Sequence, residues 1–78
     1  MAVSVDALRE FLIEAGVEPE VARRLDAARP LLRQGVDSVD FPAFCALLEE
    51  RLGCVLDDDS AARLSSLEDF ARFLAGGR

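Results

Sequence analysis

Apolar residues recur at spacings of three and four in three separate stretches of the 78-residue chain. The first stretch predicts a helix over 5–15, with Ser4 as its N-cap and Gly16 at its end. Its apolar stripe consists of Val5, Leu8, Phe11, Leu12 and Ala15. Because this spacing is that of an amphipathic helix, we expect the stripe to face a core.

A shorter helical stretch is predicted over 19–28, beginning at a proline in the first helical position. Pro30 must end it, since proline lacks an N–H and restricts the residue before it. From 30 to 37 we expect an irregular connection, with Leu31 and Leu32 held in the core.

The third helix is predicted over about 38–52 and stops at Gly53. Pro42 favours a start one or two residues late, with Val39 or Asp40 as the cap, because the proline then falls in the first turn and costs little. The inner stripe of this helix consists of Phe44, Leu47, Leu48 and Leu52.

The remaining chain predicts two further helical segments. The cluster 57–60 caps a short turn that runs through Leu64, and Ser65 with Glu68 forms a capping box for the last helix. The stripe of that helix is Leu67, Phe70, Ala71 and Leu74, followed by glycines at 76 and 77. No segment alternates, so the fold class is all-α: a small four-helix bundle of three main helices and one short helix, in a single domain over residues 1–78.

The charge lies in one part of the chain. Residues 37–59 hold seven acids and only Arg51 as a base, which accounts for the entire net charge of −6. This segment disfavours nucleic acid and favours a basic protein surface as partner, although a face kept acidic for solubility would look the same. No apolar run approaches the roughly 20 residues of a membrane span, and no leader pattern is present, so we expect a soluble cytoplasmic monomer with no membrane partner.

The cysteines and the acidic cluster carry little chemistry of their own. Without histidine or further cysteines, Cys45 and Cys54 make neither a zinc site nor a disulfide framework, and they are interpreted as small core residues. The run 57–59 lacks the alternating ligands and distal glutamate of a calcium loop, which favours capping over cation binding. No metal site is predicted.

Ser38 is the candidate functional residue, because it stands where polar residues give way to the third helix. Its hydroxyl is expected at the positive end of that helix, where free backbone N–H groups would favour an attached phosphate. The chain has no histidine and no lysine, so Ser38 has no evident base to make it a nucleophile, and no catalytic residue is predicted.

Taken together, these segments resemble the acyl carrier protein family. The resemblance rests on Gly35-Val36-Asp37-Ser38-Val39, on the acidic helix continuing through 46–52, on the acidic stretch 56–59, on Ser65-Ser66-Leu67 and on the closing helix 70–74. It implies a four-helix carrier whose Ser38 oxygen is esterified by 4′-phosphopantetheine from coenzyme A. It also implies a phosphopantetheinyl transferase, an acyl-loading enzyme and a ketosynthase or tailoring enzymes as partners, with the protein itself a non-catalytic thioester carrier.

The resemblance also implies a partner-docking surface around the serine. Its members are Asp37, Val39, Asp40, Pro42, Ala46, Glu49 and Glu50. Pro42 and Ala46 stand where longer apolar side chains are usual in the family, and Ala43 replaces a frequent glutamate. Arg33 and Gln34 replace a common acid and leucine. These departures favour a dedicated polyketide or other secondary-metabolite carrier over a fatty-acid synthesis carrier.

Two alternatives remain open at the level of sequence. A peptidyl or aminoacyl carrier of a nonribosomal or hybrid pathway has the same architecture, but it usually shows Gly-Gly-(His/Asp)-Ser, and here the approach is 31–37. In a helical protein-interaction module, Ser38 would be no more than an N-cap and the acidic helix would bind a partner directly.

Overall fold

The computed structural model describes residues 3–76, and its regular structure is helical throughout that range. The helices are α1 (Val5–Ala15), α2 (Pro19–Arg24), α3 (Asp40–Leu52), α4 (Asp58–Arg63) and α5 (Leu67–Gly76), with a 3-10 turn at Leu31–Arg33. The all-α bundle with three long helices is confirmed. Within residues 3–76, no helix combines the length and the apolar content that crossing a bilayer requires.

Helix α1 has the predicted limits because both of its ends are fixed locally. The hydroxyl of Ser4 accepts the N–H of Ala7 at 3.1 Å. Gly16 ends the helix at a φ of 120°, and its N–H bonds to the carbonyls of Ile13 and Leu12. This left-handed turn directs the chain into α2.

Helix α2 is shorter than predicted, since it ends at Arg24 and the next residue, Leu25, is extended. The guanidinium of Arg9 on α1 donates to the carbonyl of Ala22 at 2.7 Å, so a neighbouring helix satisfies one of the last carbonyls of α2. After the end of α2, the side-chain amide of Gln34 binds the backbone of Asp26 twice. Its oxygen accepts the N–H of Asp26, and its nitrogen donates to the carbonyl of Asp26. These contacts hold residues 25–28 outside the helix.

The prediction that Leu31 and Leu32 both lie in the core is half wrong. Leu31 is fully buried, whereas Leu32 is 53% exposed. The N–H of Leu31 donates to the carbonyl of Ser65 at 2.7 Å, which turns Leu31 towards the core. Because both leucines belong to one tight 3-10 turn, the second points away from the first.

Helix α3 begins late, as Pro42 predicted. Val39 is the N-cap, Asp40 is the first helical residue and Pro42 is the third, so the proline sits in the turn whose N–H groups have no helical partner. Gly53 ends the helix in the left-handed conformation at a φ of 69°.

The start of α4 is confirmed and the capping box of α5 is off by one residue. Asp57 caps α4 by accepting the N–H of Ser60 at 2.8 Å. At α5 the box is formed by Ser66 and Asp69, not by Ser65 and Glu68: the Ser66 hydroxyl accepts the N–H of Asp69, and the Asp69 carboxylate accepts the N–H of Ser66. The cause is tertiary, since the N–H of Glu68 donates to the carbonyl of Ala27.

The core joins α1, α3 and α5 through aromatic and leucine side chains. Phe44 and Phe70 are fully buried and meet edge to face at 5.1 Å between ring centroids. At the surface, the guanidinium of Arg51 on α3 binds the carboxylate of Glu14 on α1 at 2.7 Å, with a second contact at 3.4 Å. Helices α1 and α3 are therefore joined at the surface as well as through the core.

The two cysteines are free thiols, and Cys45 is a core residue as predicted. Burial, and then the charges of Glu49 and Cys54, raise the pKa of the Cys45 thiol to about 11, so the thiol is neutral near pH 7. Cys54 is half-buried, and its S–H donates to the carbonyl of Leu48 at 3.6 Å.

Candidate functional site

Ser38 is exposed in the turn that connects the long loop to α3. The turn is held by the carbonyl of Asp37, which accepts the N–H groups of Asp40 at 3.0 Å and Phe41 at 3.1 Å. Ser38 therefore stands one residue before the N-cap, outside the helix but next to its positive end.

The free donors near Ser38 are not those that the sequence suggested. The first N–H groups of α3 bond to Asp37, and Pro42 has none to offer. Within residues 3–76, the N–H groups of Ser38 and Val39, like those of residues 35–37 before them, make no backbone hydrogen bond. A phosphate on the Ser38 oxygen would therefore meet donors of the turn itself, together with the helix dipole.

The Ser38 hydroxyl caps nothing. Val39 is the N-cap of α3 without a side-chain capping bond, and the side-chain hydrogen bonds found within residues 3–76 do not include Ser38. The serine that does cap a helix, Ser4, accepts an N–H from its own first turn. The interpretation of Ser38 as a simple cap is wrong.

The loop before Ser38 is fixed by Gln34, which the sequence marked only as a departure from the family pattern. Its amide nitrogen donates to the carbonyl of Asp26 at 3.0 Å and of Arg29 at 3.1 Å, and its amide oxygen accepts the N–H of Asp26 at 2.7 Å. Gly35 follows at a φ of 98°, and Val36 is buried. The serine is thus presented by an ordered loop.

Four of the predicted docking residues share one exposed face of α3. The four are Val39, Pro42, Ala46 and Glu50, all exposed, with Val39 78% exposed. Their spacings of three and four place them on one side of the helix. Asp37 is exposed beside the serine. This face is shallow and apolar near Ser38 and acidic towards its far end.

The other two predicted docking residues, Asp40 and Glu49, are half-buried and already have neighbours in the fold. The Asp40 carboxylate lies against Gly16, where a Cβ atom would come within 3.1 Å of its Oδ1. The Glu49 carboxylate accepts the N–H of Leu56 at 2.7 Å. Their contacts are thus with the α1–α2 turn and the α3–α4 loop, respectively.

A shallow apolar groove of about 210 Å³ begins one helical turn after Ser38, at Phe41. Its other lining residues are Pro30, Leu32, Ala61, Ala62, Leu64 and Ser65. A larger cavity of about 360 Å³ lies at the opposite end of α3, around Leu52, Cys54 and Phe73. The site at Ser38 is therefore an exposed hydroxyl beside a small groove, with the larger cavity remote from it.

The comparisons with known proteins agree with this geometry. Residues 6–74 match the family model for the phosphopantetheine attachment site. Acyl carrier proteins of Rhodopseudomonas palustris (strain TIE-1) and Nitrobacter winogradskyi are each 31% identical to this chain over 70 residues, which covers 88% of this chain and 86% of theirs. No solved structure matches the chain significantly.

Fold, site and relatives together define a phosphopantetheine-bearing carrier. The chain belongs to the acyl carrier protein family. Proteins of this class carry 4′-phosphopantetheine covalently, catalyse no reaction themselves, and interact with a phosphopantetheinyl transferase and with acyl-processing enzymes. The exposed hydroxyl of Ser38 fits such a group, because it makes no side-chain hydrogen bond within residues 3–76 that the group would have to displace.

Proposed function

We propose that Ser38 is the residue that carries the 4′-phosphopantetheine arm, and that the protein holds acyl groups on the arm's thiol as thioesters. The observation that carries this proposal is the exposed Ser38 hydroxyl without a hydrogen-bond partner among the described residues, in the turn before α3. Its position within the matched residues 6–74 supports the assignment.

The transfer of the arm to Ser38 is assigned to a separate transferase. The chain contains no histidine and no lysine, so it offers no ordinary general base to deprotonate the hydroxyl. The transferase supplies that base and binds coenzyme A. The carrier's own contribution is an accessible oxygen in a fixed turn beside the positive end of a helix.

We place the carrier in polyketide or other secondary-metabolite biosynthesis. Pro42, Ala43 and Ala46 are exposed on α3. Their side chains are shorter than those that usually stand at these partner-facing positions in the family. Gln34 organises the preceding loop through its own hydrogen bonds. Fatty-acid synthase enzymes acting on the loaded protein test this assignment: slow extension is expected, and efficient turnover would contradict it.

We further propose that the protein acts as a monomer with one carrier domain over residues 1–78, in the cytoplasm, where coenzyme A and the transferase are available. The acidic segment 37–59 supports docking of basic enzyme surfaces through Asp37, Val39, Pro42, Ala46 and Glu50. An aminoacyl cargo is the second outcome to examine: loading by an amino-acid ligase rather than an acyl ligase, seen by intact mass, would assign it.

The Ser38 assignment is tested by a pair of serine variants incubated with coenzyme A and a broad phosphopantetheinyl transferase. Ser38→Ala should gain no mass and should unfold within about 0.5 kcal/mol of the wild type, because its hydroxyl makes no bond. Ser4→Ala, the matched control, should gain one phosphopantetheine mass yet lose about 1 kcal/mol, because Ser4 caps α1. Arm attachment to Ser38→Ala would contradict the proposal.

A further inference from the structure

Residues 29–33, here called the basic turn, expose an apolar side chain between two arginines. Arg29 and Arg33 are exposed, and Leu32 is 53% exposed. An exposed leucine alone means little, since most protein surface is apolar. An exposed leucine that two exposed arginines flank in the sequence is different, because arginine and large apolar residues are enriched where proteins bind each other.

Hydrogen bonds hold the basic turn in place although it lies at the surface. Gln34 donates to the carbonyls of Arg29 and Pro30, and the N–H of Arg33 donates to the carbonyl of Pro30 at 3.2 Å. From the other side, the N–H of Leu31 binds the carbonyl of Ser65. An ordered surface loses little conformational entropy on binding.

The arginines of the basic turn are available to a partner. Within residues 3–76, the ion pairs formed by arginines involve Arg9, Arg51 and Arg72. Asp26, the one acid between 21 and 36, accepts the N–H of Ala28 with its carboxylate. Four arginines in that segment therefore face a single acid, while the segment 37–59 beyond it carries the net charge of −6.

The groove of about 210 Å³ opens beside the basic turn, because Pro30 and Leu32 line one of its sides and Phe41 and Leu64 line others. Its volume lies below the roughly 300 Å³ at which small-molecule pockets begin. It is suited to a single apolar side chain. Phe41 connects the groove to Ser38, one helical turn away.

We propose that the basic turn and this groove form a second docking surface, which binds an acidic face of an enzyme that acts on the arm. The partner inserts one apolar side chain into the groove and sets carboxylates against Arg29 and Arg33. This rests on the proposed function only in that the visiting enzyme works at Ser38. The carrier thus presents opposite charges on the two sides of the serine, an acidic helix and a basic turn.

Charge and size select this occupant. Two exposed arginines that form no ion pair within residues 3–76, next in sequence to residues lining an apolar groove, complement a partner surface that combines carboxylates with an apolar side chain. A nucleic acid would offer phosphates to the same arginines but no aliphatic side chain for the apolar groove. Such a bipolar surface also fixes the orientation of a partner, because a rotated complex sets like charges against each other.

The experiment uses a synthetic peptide with two leucines flanked by glutamates as the probe, titrated into isotope-labelled protein at low salt. NMR should show changes in the amide chemical shifts of residues 29–33 and Phe41, and these changes should become smaller as salt is added. Arg29→Glu with Arg33→Glu should weaken binding about tenfold. Leu32→Ala, which removes part of one wall of the groove, should weaken it about threefold.

The control is Arg23→Glu with Arg24→Glu, which changes the charge equally at the end of α2 and should leave the peptide affinity within about twofold. Shifts that are absent, or that survive the Arg29 and Arg33 reversals, would overturn the proposal. The proposal would also be overturned if the amide shifts of the groove residues changed when an acyl group is loaded on the arm but did not change when the peptide is added.

The intact mass of each variant is also measured after treatment with coenzyme A and the transferase. A wild-type protein that gains no arm contradicts the proposed function. A wild-type protein that gains the arm but ignores the peptide contradicts the second docking surface alone, so the two failures are distinguishable.

Discussion

Glu49 shows how one side chain on α3 holds the fold next to the docking face. Its half-buried carboxylate accepts the N–H of Leu56 at 2.7 Å, which ties the α3–α4 loop back onto the helix. Glu50, the next residue, is exposed on the docking face and makes no such bond. Of these two adjacent glutamates, Glu49 therefore stabilises the fold, whereas Glu50 is left exposed to solvent.

Substitutions at these two positions separate stability from docking. Glu49→Ala should lower the free energy of unfolding by about 1–3 kcal/mol, because the N–H of Leu56 loses its acceptor. Glu49→Gln keeps an acceptor oxygen and should recover most of that loss, whereas Glu50→Ala should stay within about 0.5 kcal/mol. Denaturant unfolding measures all three. Equal stability of Glu49→Ala and Glu50→Ala would contradict the structural role.

At the scale of elements, two short capping arrangements hold α4 and α5. The hydrogen bond from the N–H of Ser60 lowers the pKa of Asp57, and the bonds from Ser65 and Ser66 lower that of Asp69. Each carboxylate therefore stabilises the fold above its ordinary pKa of 3.8, and this stabilisation disappears as the pH falls through the lower, folded pKa.

The pH dependence of unfolding checks these caps. Between about pH 5 and 2, the wild type should lose stability more steeply than Asp57→Asn with Asp69→Asn, because the double variant has neither carboxylate to protonate. Asp59→Asn, in the same acidic run but outside both caps, is the control for the loss of charge, and its free energy of unfolding at about pH 6 should stay within about 0.5 kcal/mol of the wild type. A double variant with an unchanged acid slope would show that the caps do not carry this stabilisation.

The elements that could be predicted from sequence are those with local ends. Ser4 and Gly16 fix α1, Pro42 delays α3, and Asp57 caps α4, all through residues within one turn. The early end of α2 and the shifted capping box of α5 depend on tertiary contacts: the guanidinium of Arg9 and the carbonyl of Ala27. Such contacts join residues far apart in sequence, and periodicity cannot indicate them.

The same distinction holds for the candidate site. Ser38 and the exposed face of α3 follow from a motif and from helical spacing. The free donors at Ser38 and Val39, the exposure of Leu32 and the hydrogen bonds of Gln34 follow from how the loop crosses the molecule. The place of Ser38 before α3 was therefore predictable, whereas the groups that surround this serine were not.

At the scale of the whole molecule, the net negative charge belongs to the segment 37–59, which contains a single basic residue. Arg51, the only base between 37 and 59, binds Glu14 on α1. The acidic face of α3 is therefore left without a counter-charge from its own segment, and such a face would attract a basic enzyme over a long range.

A charge reversal on this face should slow capture by a basic transferase. Glu50→Lys is expected to lower kcat/KM for arm attachment about tenfold at low salt, with the difference narrowing as salt screens the charges. Glu10→Lys, the same change on the exposed side of α1, should have little effect. Equal losses in both variants would show that net charge, and not the α3 face, governs the encounter.

The most direct test of the central claim is the position of the added mass in the loaded wild-type protein. After incubation with coenzyme A and a broad transferase, fragmentation of the intact protein should place one phosphopantetheine group on Ser38, between fragments ending at Asp37 and at Val39. An adduct on any other serine, or no adduct at all, would contradict the account.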